Sequence, residues 1–197
     1  MDAPTAAVLV PVKSFTEAKV RLAPALSAAE RAELARTMAT TVVAAAHDLR
    51  VAVVCDDTDV ADWAASVGAE VVWRPGRGLD GAVTDGVAHL AATGIDRAIV
   101  AHADLPLADD LRPLAAGDGV TLVPDRRDDG TNVAVVPTGA GFTFAYGVGS
   151  FRRHAAEAGR LGLVLTVVRA RRLGWDVDVP GDLDLPADLL AGGTRRP

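Results

Sequence analysis

The sequence predicts an α/β fold in which a largely parallel β-sheet lies between layers of helices. Short apolar runs recur along the chain, and the first four of them are separated by longer segments with helical signals. The runs are continuous rather than alternating in hydropathy, which indicates strands that are buried on both faces. Strands and helices in this order are typical of β-α-β crossovers, in which helices cover a mostly parallel sheet.

The predicted strands are rich in Val, Ile, Leu and Ala. In chain order they are AAVLV (6–10), RVAVVC (50–55), EVVW (70–73), RAIVAHA (97–103), VTLVP (120–124), VAVVP (133–137) and VLTVVRA (164–170). Because β-branched residues pack well on a pleated surface, we expect these runs to pair within one sheet.

The predicted helices follow from start and stop signals. Ser27-Ala-Ala-Glu30 is a capping-box pattern that opens a helix extending to about His47. The segments DVADWAASVG and DGAVTDGVAHLAATG end at Gly68 and Gly94, as helices that stop at a C-terminal glycine do. A further helix is expected directly after the glycines at 147 and 149.

Length and composition bound the organisation of the chain. The 197 residues are 50% hydrophobic and 4% aromatic, which suits one domain with a core of Val, Leu and Ala. We predict a single domain over residues 1–190 and a flexible tail, AGGTRRP, over 191–197. The net charge of -6 argues against nucleic-acid binding, because neutralising phosphates requires a basic surface.

Cysteine usage and the N-terminus predict the compartment. The single cysteine, Cys55, cannot form an internal disulfide, and the N-terminal segment lacks the basic and apolar regions of a signal peptide. Apolar runs stay well short of the roughly 18 to 20 residues that a membrane span needs. We therefore expect a cytoplasmic protein with no membrane contact. The Ala-rich helical segment 28–46 also suits packing against a second copy, as in a homodimer.

A basic loop follows the first predicted strand. Lys13, Lys19 and Arg21 lie within nine residues, and the two lysines are the only ones in the chain. In an open parallel sheet, ligands bind beyond the carboxyl ends of the strands, and a lysine ammonium is a compact point charge that suits phosphate. The alternative is an ordinary solvated basic loop. Neither a P-loop nor a G-x-G-x-x-G pattern is present here.

Aspartates follow two of the apolar segments. Asp104 comes after the fourth strand, where a carboxylate can reach a Mg²⁺ ion that bridges nucleotide phosphates, although an Asp there can also cap a following helix. Asp176 and Asp178 bracket one apolar residue, so in extended chain they point the same way. They could present two oxygens to one cation or form an acidic turn before Pro180.

Two glycine-containing loops complete the candidate site. Gly130-Thr131-Asn132 precedes a strand and offers a hydroxyl and an amide. Gly147-Val148-Gly149-Ser150 precedes a helix, whose N-terminal amides and positive dipole end favour anions. The simpler interpretation of each is an ordinary glycine turn and a serine N-cap.

Five segments, in order, resemble one enzyme family. VPVKSFTEAKVRL, HADLP, PDRRDDGTN, GSFRRHAAEA and WDVDVPGDL are similar to the phosphoenolpyruvate/2-phospho-L-lactate guanylyltransferases of coenzyme F420 biosynthesis, and the resemblance covers nearly the whole chain. It implies a Rossmann-like nucleotidyltransferase fold of the glycosyltransferase-A type, with a mixed but largely parallel sheet. It also implies that GMP from GTP is joined to the phosphate of a three-carbon phospho-acid, with release of pyrophosphate.

The resemblance also implies roles for individual residues. Mg²⁺ would bind Asp104 and Asp178, with Asp176 as the alternative late ligand. The acid substrate would lie against Thr131, Asn132, Gly147, Gly149 and Ser150. The nucleotide would lie against Val12, Lys13, Gly78 and Leu79, with Lys13, Lys19 and Arg21 beside the triphosphate as catalytic cations. This chain departs from the family at Asp80, where Asn is usual, which leaves the role of that residue open.

The implied chemistry is an in-line attack of a substrate phosphate oxygen on the α-phosphorus of GTP. The phosphate is already ionised, so catalysis would consist mainly of positioning and electrostatic screening. The residues leave open whether the acid is phosphoenolpyruvate, 2-phospho-L-lactate or 3-phosphoglycerate. The alternatives are another nucleotidyltransferase of the same fold, for molybdenum cofactor or sugar phosphates, a glycosyltransferase, and a non-catalytic nucleotide-binding regulator, because fold alone does not settle function.

Overall fold

A computed structural model describes residues 5–190 and contains one mixed sheet. The strands are β1 (Ala6–Pro11), β2 (Arg50–Cys55), β3 (Glu70–Trp73), β4 (Arg97–Ala101), β5 (Val120–Pro124), β6 (Thr131–Pro137) and β7 (Leu165–Val167). Their order across the sheet is β3-β2-β1-β4-β6-β5-β7. Only β6 runs antiparallel to its neighbours, β4 and β5; the other four pairings among the described strands are parallel. The predicted α/β class and all seven predicted strands are confirmed.

Helices lie on both faces of the sheet and begin and end close to the predicted signals. They are α1 (Ala28–Ala44), α2 (Thr58–Ser66), α3 (Gly78–Ala92), α4 (Ser150–Arg160) and the short α5 (Ala187–Leu190). The capping box at the start of α1 is formed, because Ser27 and Glu30 each accept a hydrogen bond from the other's backbone amide, at 3.3 and 2.8 Å. Gly68 and Gly94 follow α2 and α3 with φ of 76° and 83°, a left-handed conformation that suits a glycine stop.

The strands are covered on both faces by apolar residues. On β1, Val8 and Val10 pack in the layer with α1 and α2, whereas Ala7 and Leu9 pack in the layer with α3 and α4. All four are fully buried, which explains why the run shows no alternation of apolar and polar residues. At Gly86, a Cβ atom would lie only 2.6 Å from a methyl carbon of Leu9, so the glycine allows α3 to approach β1 closely.

The segment after β4 contradicts one of the two interpretations of Asp104, namely that it caps a following helix. Residues 105–111, all within the described part of the chain, contain no helix, and a short 3₁₀ helix begins only at Arg112. Asp104 therefore caps no helix, and that alternative is wrong. The strand ends at Ala101 rather than Ala103, because His102 leaves the ladder after donating its backbone amide to the Asn132 carbonyl at 3.0 Å.

The predicted tail over 191–197 lies outside the described residues. Within residues 5–190, the helices are too short or too polar for any of them to cross a bilayer.

Candidate functional site

The candidate site lies along one edge of the sheet, where β1 and β4 end and β6 begins. Because β6 is antiparallel to β4, with Ala101 paired with Val133, the first residues of β6 lie beside the loop that follows β4. The late acidic segment joins the same edge, since the Val177 amide donates to the Asp104 carbonyl at 3.2 Å. Segments far apart in the sequence thus meet at the place where open α/β sheets bind ligands.

Lys19 forms an ion pair with two of the predicted metal ligands. Its Nζ lies 2.6 Å from Asp104 Oδ2 and 3.0 Å from Asp178 Oδ1, and Arg21 lies 4.0 Å from the other oxygen of Asp178. Burial alone would lower the pKa of Lys19, but the charges of Asp104 and Asp178 outweigh burial and raise it. The protonated ammonium therefore neutralises part of the charge of the two carboxylates.

The oxygens that remain around Lys19 fit a divalent cation. Asp104 Oδ1 and Asp176 Oδ1 are buried and accept no hydrogen bond from the described residues. Burial, followed by the charge of Asp104, raises the pKa of Asp176, although Arg126 Nη1 lies 3.5 Å from Asp176 Oδ1. Carboxylate oxygens are the ligands that Mg²⁺ prefers, and Mg²⁺ uses only one or two of them together with water and substrate phosphates. Residues 5–190 contain no cluster of three or more His, Cys, Asp or Glu arranged as a metal site, so Asp104 and a late Asp would have to suffice.

The backbone around Asp178 is held by a residue to which the sequence assigned no role. Asp182 is buried, and its Oδ2 accepts hydrogen bonds from the amides of Asp178 and Val179 at 2.8 and 2.9 Å. Its other oxygen accepts from Arg126, whose guanidinium also donates to the Asp176 carbonyl at 3.0 Å. Asp182 and Arg126 together fix the segment that carries both late carboxylates.

The predicted nucleotide-side residues line one cavity. Val12, Lys13, Gly78 and Leu79 all contribute to a cavity of about 340 Å³ between the ends of β1 and β2 and the start of α3. A neighbouring cavity of about 270 Å³ shares Val12, Lys13 and Leu79 with it and continues to Lys19 and Asp104. Lys13 lines both cavities, and its exposed ammonium pairs with Glu17 at 3.2 Å.

The acid-side residues are linked by hydrogen bonds between β6 and α4. Ser150 Oγ accepts from the Thr131 amide at 3.1 Å, and the Ser150 amide donates to the Gly147 carbonyl at 2.9 Å. Gly147 and Gly149 have φ of 95° and 73°, a conformation in which glycine avoids strain. These four predicted residues are therefore adjacent in the structure.

Asn132 is the predicted acid-side residue that the structure separates from the others. Successive residues of a strand point to opposite faces of the sheet, so Asn132 points away from Thr131. Its side-chain amide donates to the Leu173 carbonyl at 2.9 Å, and the side chain is buried. In this structure Asn132 holds the turn at residue 173.

His154 orients the Thr131 hydroxyl. Its Nε2 accepts a hydrogen bond from the Ala145 amide at 3.0 Å, and its Nδ1 lies 3.0 Å from Thr131 Oγ1. Burial, with the charge of Arg153, lowers the pKa of His154 to about 4, so the ring is neutral near pH 7. Because Nε2 accepts, the proton is on Nδ1, which donates to Thr131 Oγ1, so the hydroxyl hydrogen is not used in this contact. A sequence signal for this residue exists, since the i,i+4 spacing from Ser150 places both on one face of α4.

Asp80 and His102 connect the two sides of the site. Asp80 Oδ1 accepts from the Tyr146 amide at 2.8 Å, which ties the first turn of α3 to the loop before α4. The ring of Tyr146 lies between His102 and His154, at centroid distances of 4.8 and 4.9 Å. Asp80 thus has a structural contact on the acid side, which its position in the nucleotide-side segment did not indicate.

The mixed sheet, the cationic loop beside paired carboxylates and the amide-rich loop on one edge define a nucleotidyltransferase. A solved nucleotidyl transferase from Methanothermobacter thermautotrophicus has the same fold, with a TM-score of 0.63 and 15% identity over 91% of this chain and 94% of that chain. The sequence profile of the family described as "Guanylyl transferase CofC like" matches residues 6–193, and the chain belongs to this family. The predicted resemblance, the nucleotidyltransferase fold and the enzyme class are confirmed.

Curated relatives cover most of the chain. It is 36% identical over 189 residues to the phosphoenolpyruvate guanylyltransferase of Sphaerobacter thermophilus, covering 91% of each sequence. It is 40% identical over 183 residues to that of Roseiflexus castenholzii, covering 89% of this chain and 84% of the relative. A 2-phospho-L-lactate guanylyltransferase from Methanothermobacter thermautotrophicus is 33% identical, covering 89% of this chain and 81% of the relative.

Proposed function

We propose that this enzyme transfers GMP from GTP to the phosphate of a three-carbon phospho-acid, releases pyrophosphate, requires Mg²⁺ and acts in coenzyme F420 biosynthesis. The observation that carries the proposal is the position of Lys19 between Asp104 and Asp178, beside the cavity lined by Lys13 and Leu79. The names of the relatives support the guanylyl group and the phospho-acid.

The reaction brings two anions together, so its main physical obstacle is charge repulsion. Asp104, with Asp178 or Asp176, would hold Mg²⁺, which would screen the charge of the α-phosphate. Lys13, Lys19 and Arg21 lie in the segment between β1 and α1 and would supply three cationic groups for the triphosphate and the departing pyrophosphate. The four-carbon stem of Lys19 lets its ammonium move from the carboxylates to a phosphate oxygen.

The acid side supplies hydrogen-bond donors rather than charge. Thr131 offers a hydroxyl hydrogen, because His154 already donates to its oxygen. Ser150 Oγ accepts from the Thr131 amide, so its own hydrogen is also available to a carboxylate or phosphate oxygen. We propose phosphoenolpyruvate as the acid, since relatives at 36% and 40% identity carry that name.

The test is pyrophosphate release from GTP and Mg²⁺ with phosphoenolpyruvate, 2-phospho-L-lactate or 3-phosphoglycerate, with ATP as the control for base choice. We expect release with GTP and phosphoenolpyruvate, and none when Mg²⁺ is removed by a chelator. If pyrophosphate is released only with one of the other two acids, that acid is the substrate instead of phosphoenolpyruvate. GTP binding without release for any acid would refute the proposal and favour a non-catalytic nucleotide-binding protein.

A further inference from the structure

The side chain of Arg153 binds the backbone carbonyl groups of the loop before α4. The guanidinium of Arg153 donates to the carbonyls of Ala145 at 3.1 Å, Tyr146 at 3.0 Å, Gly147 at 3.4 Å and Val148 at 2.6 Å. Arginine is suited to this contact because its planar fork carries five N–H donors and no acceptor. Four successive carbonyls therefore point toward one cation.

The geometry of the peptide bond then fixes where the amides of the same loop point. In a trans peptide, the carbonyl of one residue and the amide of the next lie on opposite sides of the chain. Carbonyls turned toward Arg153 thus turn the amides of Tyr146, Gly147, Val148 and Gly149 away from it. The loop presents a row of four N–H donors on the face opposite the guanidinium.

The two outer amides of this row show which chemistry it accepts. Tyr146 donates to Asp80 Oδ1 at 2.8 Å, and Gly149 donates to Asp129 Oδ1 at 3.1 Å. Both acceptors are carboxylate oxygens. The two inner amides, those of Gly147 and Val148, donate no hydrogen bond to any residue that the structure describes.

We propose that Arg153 is a positioning residue for the acid substrate, which it orders by holding the loop so that the amides of Gly147 and Val148 receive the substrate's carboxylate. This inference rests on the proposed function and deepens it, since it assigns the carboxylate end of the acid to backbone donors. The Ser150 amide donates to the Gly147 carbonyl at 2.9 Å, and Ser150 Oγ accepts from the Thr131 amide, so the loop that carries these amides lies next to Ser150 and Thr131.

The adjacent arginine provides a matched control. Arg152 has the same charge, lies in the same turn of α4 and is exposed, but it forms no hydrogen bond or ion pair with the residues between 5 and 190. A change in net charge alone would affect both positions equally. A positioning role predicts an effect at Arg153 only, because Arg153 and not Arg152 contacts the loop.

The experiment compares Arg153→Met, Arg153→Lys and Arg152→Met with the wild-type enzyme in steady-state kinetics and in amide hydrogen exchange. We expect Arg153→Met to raise KM for the acid about tenfold, as the loss of oriented donors implies, while kcat and KM for GTP stay within about twofold. Exchange over residues 145–149 should accelerate in the same variant. Arg153→Lys should be intermediate, because an ammonium has three donors, and Arg152→Met should match the wild type.

Two outcomes overturn the inference. An acid KM in Arg153→Met equal to that in Arg152→Met would show that the loop is ordered without Arg153. An equal rise in the KM of GTP would show a general loss of structure rather than a loss at the acid. Failure of the proposed function is separate, since it would appear as absent pyrophosphate release in the wild-type enzyme.

Discussion

Replacing Asp182 with Asn tests how the late acidic segment is held. The carboxylate is 3% exposed and accepts hydrogen bonds from two backbone amides, those of Asp178 and Val179, and from the guanidinium groups of Arg126 and Arg127. Asn has the same shape but replaces one oxygen with an NH₂ donor. In either orientation of the amide, that donor faces the backbone amides or the arginines.

The expected loss of stability depends on how deeply Asp182 and its arginine partners are buried. Removing one partner of a buried ion pair costs about 3–5 kcal/mol, and a buried donor without an acceptor costs about 1–3 kcal/mol. The side chains of Arg126 and Arg127 are 24% and 50% exposed, so water can solvate them and reduce the loss. We therefore expect about 3 kcal/mol at neutral pH, or a fall in Tm of about 6–12 °C for a protein of this size.

The pH dependence gives the prediction a second check. Burial raises the pKa of Asp182, but the amides of Asp178 and Val179 and the nearby arginines outweigh it and lower the pKa below 3.8. A lowered native pKa contributes stability that is present above the unfolded value and is lost as pH falls through the native one. The difference in the free energy of unfolding between the wild type and Asp182→Asn should thus be constant near neutrality and shrink below about pH 4.

The assay is urea unfolding in steps from about pH 7 to about pH 3. Asp184→Asn is the control, because Asp184 is exposed, lies two residues away and forms no hydrogen bond or ion pair with residues 5–190. A variant Asp182→Asn that stays within about 1 kcal/mol of this control at neutral pH would refute the reasoning.

Three further experiments test the site. Asp104→Asn should lower pyrophosphate release at least about a hundredfold with an unchanged circular dichroism spectrum, and near-normal turnover would exclude Asp104 as the metal ligand. Lys19→Met leaves Asp104 without its ion-pair partner and Asp178 with only Arg21 at 4.0 Å, so Tm should fall without Mg²⁺ and recover when Mg²⁺ is added; a Tm that does not respond to Mg²⁺ would contradict this. His154→Leu and Thr131→Val should each raise KM for the acid several-fold, and the double variant no further, because both act through one hydroxyl. Additive effects would separate the two roles.

The strands could be predicted because their signal is local. A strand buried on both faces is a continuous apolar run, and each of the seven runs became a strand of the sheet. The direction of β6 could not be predicted this way, since it depends on pairing with β4, as between Ala101 and Val133. That direction is what brings Thr131, at the start of a strand, to the edge where Asp104 follows the end of one.

The site could be predicted only where side-chain chemistry marks it. Lys19, Asp104 and Asp178 were candidates from their type and segment, but their contact spans 85 and 159 residues of chain. It also requires Lys19 to adopt a φ of 55°, which no neighbouring residue predicts. Asp182 and Arg153 were not found, because their partners are backbone amides and carbonyls, and every residue carries those groups.

The two sides of the site neutralise charge by different means, and this decides which side can adapt. Around Lys19 the charges are on side chains, and under the proposed function the ammonium that pairs with Asp104 and Asp178 would turn to a phosphate once a cation bound the carboxylates. Around Gly147 the donors are backbone amides whose direction is set by the peptide planes that Arg153 holds. Peptide dipoles fixed in this way need no reorganisation when the acid binds. Under the proposed function, adaptation to the triphosphate and its metal would therefore fall to the lysine side, while the acid would meet a surface that is already arranged.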